Sequence, residues 1–240
     1  MDVTYQVVIV GAGRLGRSVS ALLALKNIPH QIIKKGDDVP EADIYYLCVP
    51  DSEIDHVVRL IPKVGVCLHA AGSIGPEVLS AHPCHGVLHP IMSFPGPEFE
   101  IPTGKIPATY SGMPEAMQKA FWLGAQLGFT VYELSGDRTL YHAAAVIAGN
   151  YASVLLRMAG TLLSECGVSE PHQALLPLAQ MSLRSAAQHP LSVSLTGPIA
   201  RGDTETINLH QDALEKKFPH IKNAYNALLL ATNTQLKIEE

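Results

Sequence analysis

The chain has 240 residues, a formal net charge of −5, 47% hydrophobic residues and 16% charged residues. This composition supplies a sizeable core and argues against broad disorder. The acidic balance, without any basic run, excludes nucleic acid as an expected partner, and the length allows one large domain or two small ones.

The first predicted element is a strand, VVIV, which leads directly into the sequence GAGRLG and then into a helical apolar pattern. Strand, glycine turn and helix in this order are typical of a dinucleotide-binding site. The glycines allow a sharp turn, a close approach of the backbone to the pyrophosphate, and tight packing of helix on strand. The helix N-terminus adds free N–H groups. The predicted cofactor loop consists of Gly11, Ala12, Gly13, Arg14, Leu15 and Gly16.

The second predicted strand, residues 30–34, ends at Lys34 and Lys35. The residues after this strand meet the adenine ribose, where an acid suits a free 2′-hydroxyl and a base suits a 2′-phosphate. The two lysines therefore favour NADP, although they are equally compatible with a solvated turn. Asp37 follows closely and keeps NAD open.

Two buried parallel strands are predicted at residues 44–49 and 65–69, because both are short, continuous apolar runs. Their carboxyl ends lead into Val49-Pro50 and into Ala71-Gly72-Ser73, at the edge where such sheets bind ligands. The small residues leave room for a flat ring. Ser73 is expected either to hydrogen-bond a carboxamide or substrate, or to cap a helix over residues 74–81.

A further strand at residues 85–89 brings His82, Cys84, His85 and His89 near one another in sequence. Alternation along a strand separates Cys84 from His85 and His89, so no metal site is predicted. His89 remains of interest at the carboxyl edge. Strands at 108–111 and 129–134 flank a helix at 114–127. Six to eight strands alternating with helices predict an α/β fold with a doubly wound, mostly parallel Rossmann sheet.

Helical patterns replace strands from Gly136 onward, which places a domain boundary after Ser135. We expect a dinucleotide-binding domain at residues 1–135 and a helical domain at 136–240. The helices are predicted at 138–165, 171–188, 208–218 and 220–235. The apolar stretch 140–163 is long enough to span a bilayer, but its internal polar residues favour a buried helix. With no signal-peptide pattern at the N-terminus, a cytoplasmic protein without membrane contact is expected.

Two polar features interrupt the helical part. His142 and Asn150 are eight residues apart, just over two turns, and so share one helix face. Such a stripe needs a ligand or internal hydrogen-bond partners. Arg201 lies in a loop rich in glycine and proline, where its planar guanidinium can clamp a carboxylate. Asp203 is placed to hold that guanidinium or to cap a following helix.

Six motifs together resemble a bacterial family of oxidoreductases that joins a Rossmann-like domain to a helical domain of unknown function. They are GAGRLG, LCVPDSEI, HAAGSIG, HPIMSFPGP, YHAAAVIAGNYASVLL and LTGPIARGD. The wider superfamily includes pyrroline-5-carboxylate reductase, ketopantoate reductase and 6-phosphogluconate-type dehydrogenases. The resemblance implies an NAD(P) domain, a helical substrate domain with a cleft between them, and a homodimer formed through the helices. Some members are implicated in ketopantoate reduction, which makes that substrate the expected one.

The resemblance extends to individual residues. Val49 and Pro50 match a loop near the nicotinamide ribose, and Ala71 to Ser73 match a loop near the ring. Asn150 falls where relatives carry a polar residue on the long interdomain helix. Ketopantoate and hydroxy-acid relatives carry a catalytic lysine one turn earlier, where this chain has Val146.

Two hypotheses follow. The first is a reductase in which His142, or else His89, donates a proton, Asn150 orients the substrate and Arg201 binds its carboxylate. The missing lysine also allows imine reduction, because an imine can arrive already protonated. The second hypothesis is a sensor or scaffold that binds the dinucleotide without turnover.

Overall fold

The structure, a computed structural model, describes residues 4–99 and 101–239, and within them a seven-stranded sheet organises the first part of the chain. Its strands are β1 (Val7–Val10), β2 (His30–Ile33), β3 (Ile44–Leu47), β4 (Val66–His69), β5 (His85–Pro90), β6 (Ile106–Gly112) and β7 (Phe129–Glu133). The spatial order is β2-β1-β3-β4-β5-β6-β7. The first five strands are parallel, β6 runs antiparallel to β5, and β7 is parallel to β6. The predicted α/β, mostly parallel sheet is confirmed.

Helices cover both faces of this sheet. On one face, α1 (Arg14–Leu25) and α3 (Pro114–Gln126) pack against alternate strand residues such as Val7 and Ile9. On the other face, α2 (Ile54–Val58) packs against Val8 and Val10. Because both faces are buried, the central strands are apolar without alternation.

The chain reverses its direction of winding between β1 and β3, which are neighbours in the sheet although β2 lies between them in sequence. In open α/β sheets a crevice forms outside the carboxyl ends of the strands at such a point. The loops after β1, β3, β4 and β5 therefore surround one region.

The predicted helix at residues 74–81 is wrong. The structure has a short 3₁₀ helix, Pro76–Leu79, that begins with proline after Gly75. It stops before His82, whose N–H donates to the carbonyl of Leu79 in a turn. His82 precedes a proline, and the residue before proline disfavours helical geometry.

The remaining helices are α4 (Arg138–Ala145), α5 (Ala152–Glu165), α6 (Pro171–Ala186), α7 (Leu191–Ser194), α8 (Thr204–Lys217) and α9 (Pro219–Glu239), with a π-helical segment, Val146–Tyr151, joining α4 to α5. The contacts divide the chain into two compact units, the first ending at Asn150 and the second beginning at Tyr151. The division lies after α4, not after Ser135, because α4 bonds to the sheet through its own side chains.

The helical stretch Arg138–Glu165 is long and apolar enough to cross a membrane, with a mean hydropathy of 1.3 over its most apolar window. A single helix of this kind is weak evidence for a membrane span. The expectation that it is a buried helix is wrong: only 6% of that window is buried, and within α5 the buried residue is Gly160. In the second unit α5 pairs with α6 and α8 with α9, and these pairs leave their outer faces uncovered.

Candidate active site

The glycine loop between β1 and α1 has the geometry that the sequence predicted. Gly11 has a φ of +112°, and a Cβ there would lie 2.6 Å from the carbonyl oxygen of Cys48. A Cβ on Gly16 would lie 1.9 Å from the carbonyl oxygen of Gly11, so only glycine allows the helix to approach the strand this closely. Gly13, by contrast, has no described atom within 4 Å of its Cβ position. Open space therefore faces the backbone at Gly13.

The first turn of α1 is available to an anion. Gly13 is the N-cap residue, and among the described residues no side chain caps this turn. The N–H groups at a helix N-terminus bind phosphate when nothing else satisfies them. The loop can therefore hold a pyrophosphate in the way that its sequence predicted.

A first cavity, of about 410 Å³, extends from this loop along the end of β2. Apolar side chains form much of its wall, and Lys34 and Lys35 line it together with Asp37. The carboxylate of Asp37 accepts a hydrogen bond of 2.9 Å from the backbone N–H of Lys34, which ties it into the turn. The other lining residues include Ile33, Val39, Pro50, Val57 and Leu60. This cavity suits a flat aromatic group with a sugar beside the lysines.

A second cavity, of about 430 Å³, opens on the other side of the glycine loop. Gly13, Arg14 and Leu15 border it at one end, and His89 borders it at the other. Its wall also includes Val49, Pro50, Ala70, Pro90, Met92, Ser93 and Phe94. A ligand whose phosphates lie on the loop can thus extend toward His89.

One face of the sheet carries polar side chains beside this second cavity. The pairing of β4, β5 and β6 sets His69 beside Val87 and Ser111, and sets His89 beside Thr109. Since side chains on a strand alternate between faces, all five project from the same face. Here α4 covers the sheet, because Arg138 bonds to Ser111 while Tyr141, three residues later, bonds to Thr109 and His89.

His89 is held by the phenol of Tyr141. The distance between His89 Nδ1 and Tyr141 Oη is 2.5 Å, and Thr109 Oγ1 donates to the same phenol oxygen at 3.0 Å. Burial lowers the pKa of His89 to about 4, and the nearby His142 and Arg138 add to this effect. The imidazole is therefore neutral at pH 7.

The loop after β4 lies against both histidines of the site. A Cβ on Gly72 would lie 2.7 Å from His142 Cδ2 and 2.8 Å from His89 Nε2. The fully buried His69 shapes this loop: its Nδ1 accepts from the N–H of Ala71 at 3.1 Å, and its Nε2 donates to the carbonyl of Gly75 at 3.1 Å. The hydroxyl of Ser73 does not cap a helix. It donates a hydrogen bond of 3.1 Å to the carboxylate of Asp51.

Arg138 brings a positive charge to this loop. Its guanidinium donates to the carbonyl of Gly72 at 3.2 Å and to the hydroxyl of Ser111. No ion pair involving Arg138 occurs within residues 4–99 and 101–239. It lines a third cavity of about 310 Å³ with Ser73, Glu77 and Ser111. Three of the five N–H groups of its fork remain for an anion.

The structure brings together some of the residues predicted for catalysis. His142 lies against Gly72 beside His89, and its role as a proton donor stays a prediction. Asn150 is exposed in the π-helical segment, and Arg201 is exposed in a turn of the second unit. Asp203 caps α8 by accepting from the N–H of Thr206. The predicted roles of Asn150 and Arg201 stay predictions.

Sequence reasoning missed Tyr141, Thr109 and Arg138. Tyr141 adjoins His142 in the motif YHAAAV, and this position was the one available signal. The histidines near β5 other than His89 have structural roles: His82 bonds to the carbonyls of Cys84 and Pro62, and His85 bonds to that of His82. In the described part of the chain, no three His, Cys, Asp or Glu residues are grouped to hold a metal ion.

The sequence of the chain matches one known protein family. The family model described as "Domain of unknown function (DUF2520)" matches residues 106–232, more than half of the sequence. The chain belongs to the DUF2520 family. No curated protein sequence matches this DUF2520 chain.

Several solved structures share the fold of this DUF2520 protein. A Bacteroides fragilis protein assigned as an NADP oxidoreductase is 22% identical, with a TM-score of 0.80 over 95% of this chain and 98% of that one. The 1-pyrroline-5-carboxylate reductase of Streptococcus pyogenes is 13% identical, with a TM-score of 0.57 over 98% of both chains. The imine reductase V8 variant of Myxococcus stipitatus, in complex with NAD⁺, is 12% identical, with a TM-score of 0.63 over 96% and 94%. At these identities the likeness is one of fold.

Proposed function

We propose that this protein is an NAD(P)H-dependent reductase of a small carbonyl compound that carries a carboxylate. One observation carries the proposal: a single cavity has the uncapped first turn of α1 at one end and His89 at the other. It therefore combines a place for a pyrophosphate with a proton-bearing side chain, the two requirements of a nicotinamide-dependent reduction.

The residues present fit a nicotinamide dinucleotide. At Gly11 and Gly16 a Cβ would collide with backbone carbonyls, so glycine is needed for the turn and for the packing of α1, whereas the backbone at Gly13 is open to a ligand. When bound, the reduced nicotinamide supplies the hydride. The first cavity accommodates the adenosine half, and Lys34 and Lys35 favour NADP through its 2′-phosphate. NAD is also compatible with this cavity. Relatives in fold are named as an NADP oxidoreductase and as a complex with NAD⁺.

The proton is assigned to the histidine pair beside Gly72. His89 borders the second cavity directly, and His142 lies beside it against the same glycine. An imidazole N–H can donate to the oxygen that gains charge during carbonyl reduction. Of the predicted loop near the ring, Ala71 packs into the core and Gly72 lies against the histidines, while the preceding Ala70 lines the second cavity and its small side chain leaves room for the nicotinamide.

Arg138 supports a carboxylate on the substrate. It is a partly buried cation next to the histidines, with donors to spare. Arg201 remains the alternative predicted from the sequence, and its contribution is separable from that of Arg138 by mutation. Ketopantoate is the specific substrate that we propose for this site.

Reduction of a cyclic imine is a second candidate. Val146, in the π-helical segment, supplies no ammonium group to protonate an alkoxide. An imine needs less help, since its nitrogen can be protonated before binding. Fold relatives are named as an imine reductase and a pyrroline-5-carboxylate reductase.

Oxidation of NADPH and NADH by the purified protein tests these proposals, with ketopantoate, other 2-oxo acids and cyclic imines as substrates. Turnover of ketopantoate with NADPH supports the full proposal, and turnover of imines alone replaces the substrate. Dinucleotide binding without turnover on any of them contradicts the reductase and favours the sensor. The KM for the acid substrate should be much higher in Arg138→Ala than in Arg201→Ala. A higher KM in Arg201→Ala would instead indicate that Arg201 binds the carboxylate.

We also propose that the protein is a homodimer formed through its C-terminal helices and that it is cytoplasmic. Leu178, Met181 and Leu230 are each more than 60% exposed in the second unit, where few side chains are buried. A second copy would cover these apolar faces. Four free cysteines are compatible with a reducing compartment.

A further inference from the structure

We infer that Tyr141 is a positioning residue that holds His89 as the tautomer with its proton on Nε2, and that this N–H is the group presented to the substrate. The inference rests on the proposed reductase function. The inference explains how the neutral imidazole of His89 can donate a proton to the substrate.

The hydrogen bonds around the phenol fix the direction of the proton. Of the described residues, Thr109 and His89 are the hydrogen-bond partners of the Tyr141 hydroxyl. Thr109 donates to the phenol oxygen, so the one phenol proton is directed at His89 Nδ1 across 2.5 Å. A ring nitrogen that accepts a hydrogen bond carries no proton, and in a neutral imidazole the proton is then on the other nitrogen.

The second nitrogen faces the small-residue loop. Nε2 of His89 lies 2.8 Å from the position that a Cβ on Gly72 would occupy. His89 also borders the cavity that begins at the glycine loop of α1. Glycine at position 72 lets the imidazole approach the loop this closely, and we place the Nε2–H where the ring borders the cavity.

The surroundings of His89 disfavour the imidazolium form. The charged and titratable groups that act on it come from α4, from β4 and from the turn after β3: His142, Arg138, Tyr141, His69 and Asp51. Burial contributes most to the lowered pKa of His89, and Arg138 adds positive charge beside it. Asp51 acts in the opposite direction, and its carboxylate is already bonded to Ser73.

A neutral ring can release its Nε2 proton if Nδ1 gains one at the same time. As the Nε2–H bond breaks and a new O–H bond forms on the substrate, the phenol proton of Tyr141 passes to Nδ1. Burial raises the pKa of Tyr141 and so disfavours the phenolate, while the hydroxyl of Thr109 and the charge of Arg138 act in the opposite direction and limit this cost. Water then returns one proton to the phenolate, and His89 ends the step neutral, with its proton on Nδ1. The starting state is then restored by three proton movements. Nδ1 returns its proton to Tyr141, the phenol loses its extra proton to solvent, and Nε2 takes up a proton from solvent.

The tautomer can be measured without turnover, by NMR of the full-length protein labelled with ¹⁵N-histidine. His89, assigned by comparison with His89→Gln, should show a protonated Nε2 and an unprotonated Nδ1 at pH 7. In Tyr141→Phe, signals of both tautomers should appear. Tyr132→Phe is the matched control, because Tyr132 is 58% exposed on β7 and should leave the signals unchanged. A proton on Nδ1 in the wild type, or an unchanged tautomer in Tyr141→Phe, would overturn the inference.

Kinetics supply the second readout. With a neutral donor the kcat of the wild type should stay level between about pH 5.5 and pH 8, whereas an imidazolium donor with this pKa would lose activity throughout that range. Tyr141→Phe should lower kcat by about 100-fold with little change in the Kd of NADPH. A normal kcat in Tyr141→Phe removes the inference and leaves the reductase. A wild type with the expected tautomer but no turnover of any substrate removes the reductase and leaves the tautomer assignment.

Discussion

At the residue scale, the fully buried His69 makes the fold sensitive to acid. Burial lowers its pKa from the ordinary 6.5 to about 4, while its hydrogen bond to Gly75 acts in the opposite direction. The unfolded chain therefore binds a proton at this position between those two values and the folded chain does not. The contribution of His69 to the free energy of unfolding is complete above pH 6.5. It is lost as the pH falls toward 4, and the loss amounts to about 3 kcal/mol.

We expect the free energy of unfolding, measured with urea at pH 7 and pH 4.5, to fall more in the wild type than in His69→Gln. Glutamine retains an N–H donor for Gly75 but does not titrate. His189→Gln, at an exposed position, is the control and should fall as the wild type does. An equal loss in His69→Gln would assign the acid sensitivity to other groups.

We expect the proposed preference for NADPH to depend on Lys34 and Lys35. Replacing both Lys34 and Lys35 with alanine should raise the KM of NADPH by about 30-fold and leave that of NADH nearly unchanged, because two exposed cations each contribute roughly 1 kcal/mol toward a phosphate. Steady-state kinetics with both cofactors measure this change. Lys105→Ala, at another exposed lysine, should alter neither value. An equal rise in the KM of NADH would show that the lysines do not act through the 2′-phosphate.

Local patterns and distant contacts differ in how far the sequence reveals them. For the lysines and the glycine loop, one short segment of sequence contains the whole signal on which the prediction rests. Tyr141 was not, because its partners Thr109 and His89 are 32 and 52 residues away in sequence. The helical period of α4 shows that Arg138, Tyr141 and His142 share a face, but not which strands that face covers.

At the element scale, the contact between β1 and α1 separates two roles of glycine. Gly16→Ala should lower the melting temperature markedly, because its Cβ would collide with the carbonyl of Gly11. Gly13→Ala should melt close to the wild type, since its Cβ position is open and its φ is −72°. In Gly13→Ala the added methyl group occupies the space for phosphate, so the Kd of the dinucleotide should rise by about 10-fold or more.

Thermal unfolding and calorimetric titration of these two variants form one experiment, with each variant serving as the control for the other. A stable Gly13→Ala that binds the dinucleotide normally would contradict the placement of the phosphates.

The strands were predictable as elements since they are continuous apolar runs. The antiparallel turn at β6 was not, because residues 91–105, which precede it, have no helical or strand pattern that fixes its direction.

At the scale of the whole molecule, burial is concentrated in the first unit. The sheet has a core on each face, whereas in the second unit Gly160, Leu214 and Ile221 are the buried residues of its described part. Helices in water are stabilised mainly by packing of an apolar face. The sequence predicted a helical region here, although it missed α7 and began α8 four residues late. It could not show that the apolar residues of these helices would remain uncovered by the same chain.

The proposed homodimer rests on that imbalance, and charge substitutions on α6 test it. Leu178 and Met181 are three residues apart on one face of α6, 66% and 62% exposed. The double variant Leu178→Asp/Met181→Asp should convert a dimer into a monomer in light scattering after size exclusion, because two carboxylates cannot be buried in an apolar interface. Leu25→Asp is the matched control: Leu25 is 73% exposed on α1 in the first unit and its replacement should leave the dimer intact. A monomeric wild type at micromolar concentration, or a double variant that remains dimeric, would contradict the assignment of this face.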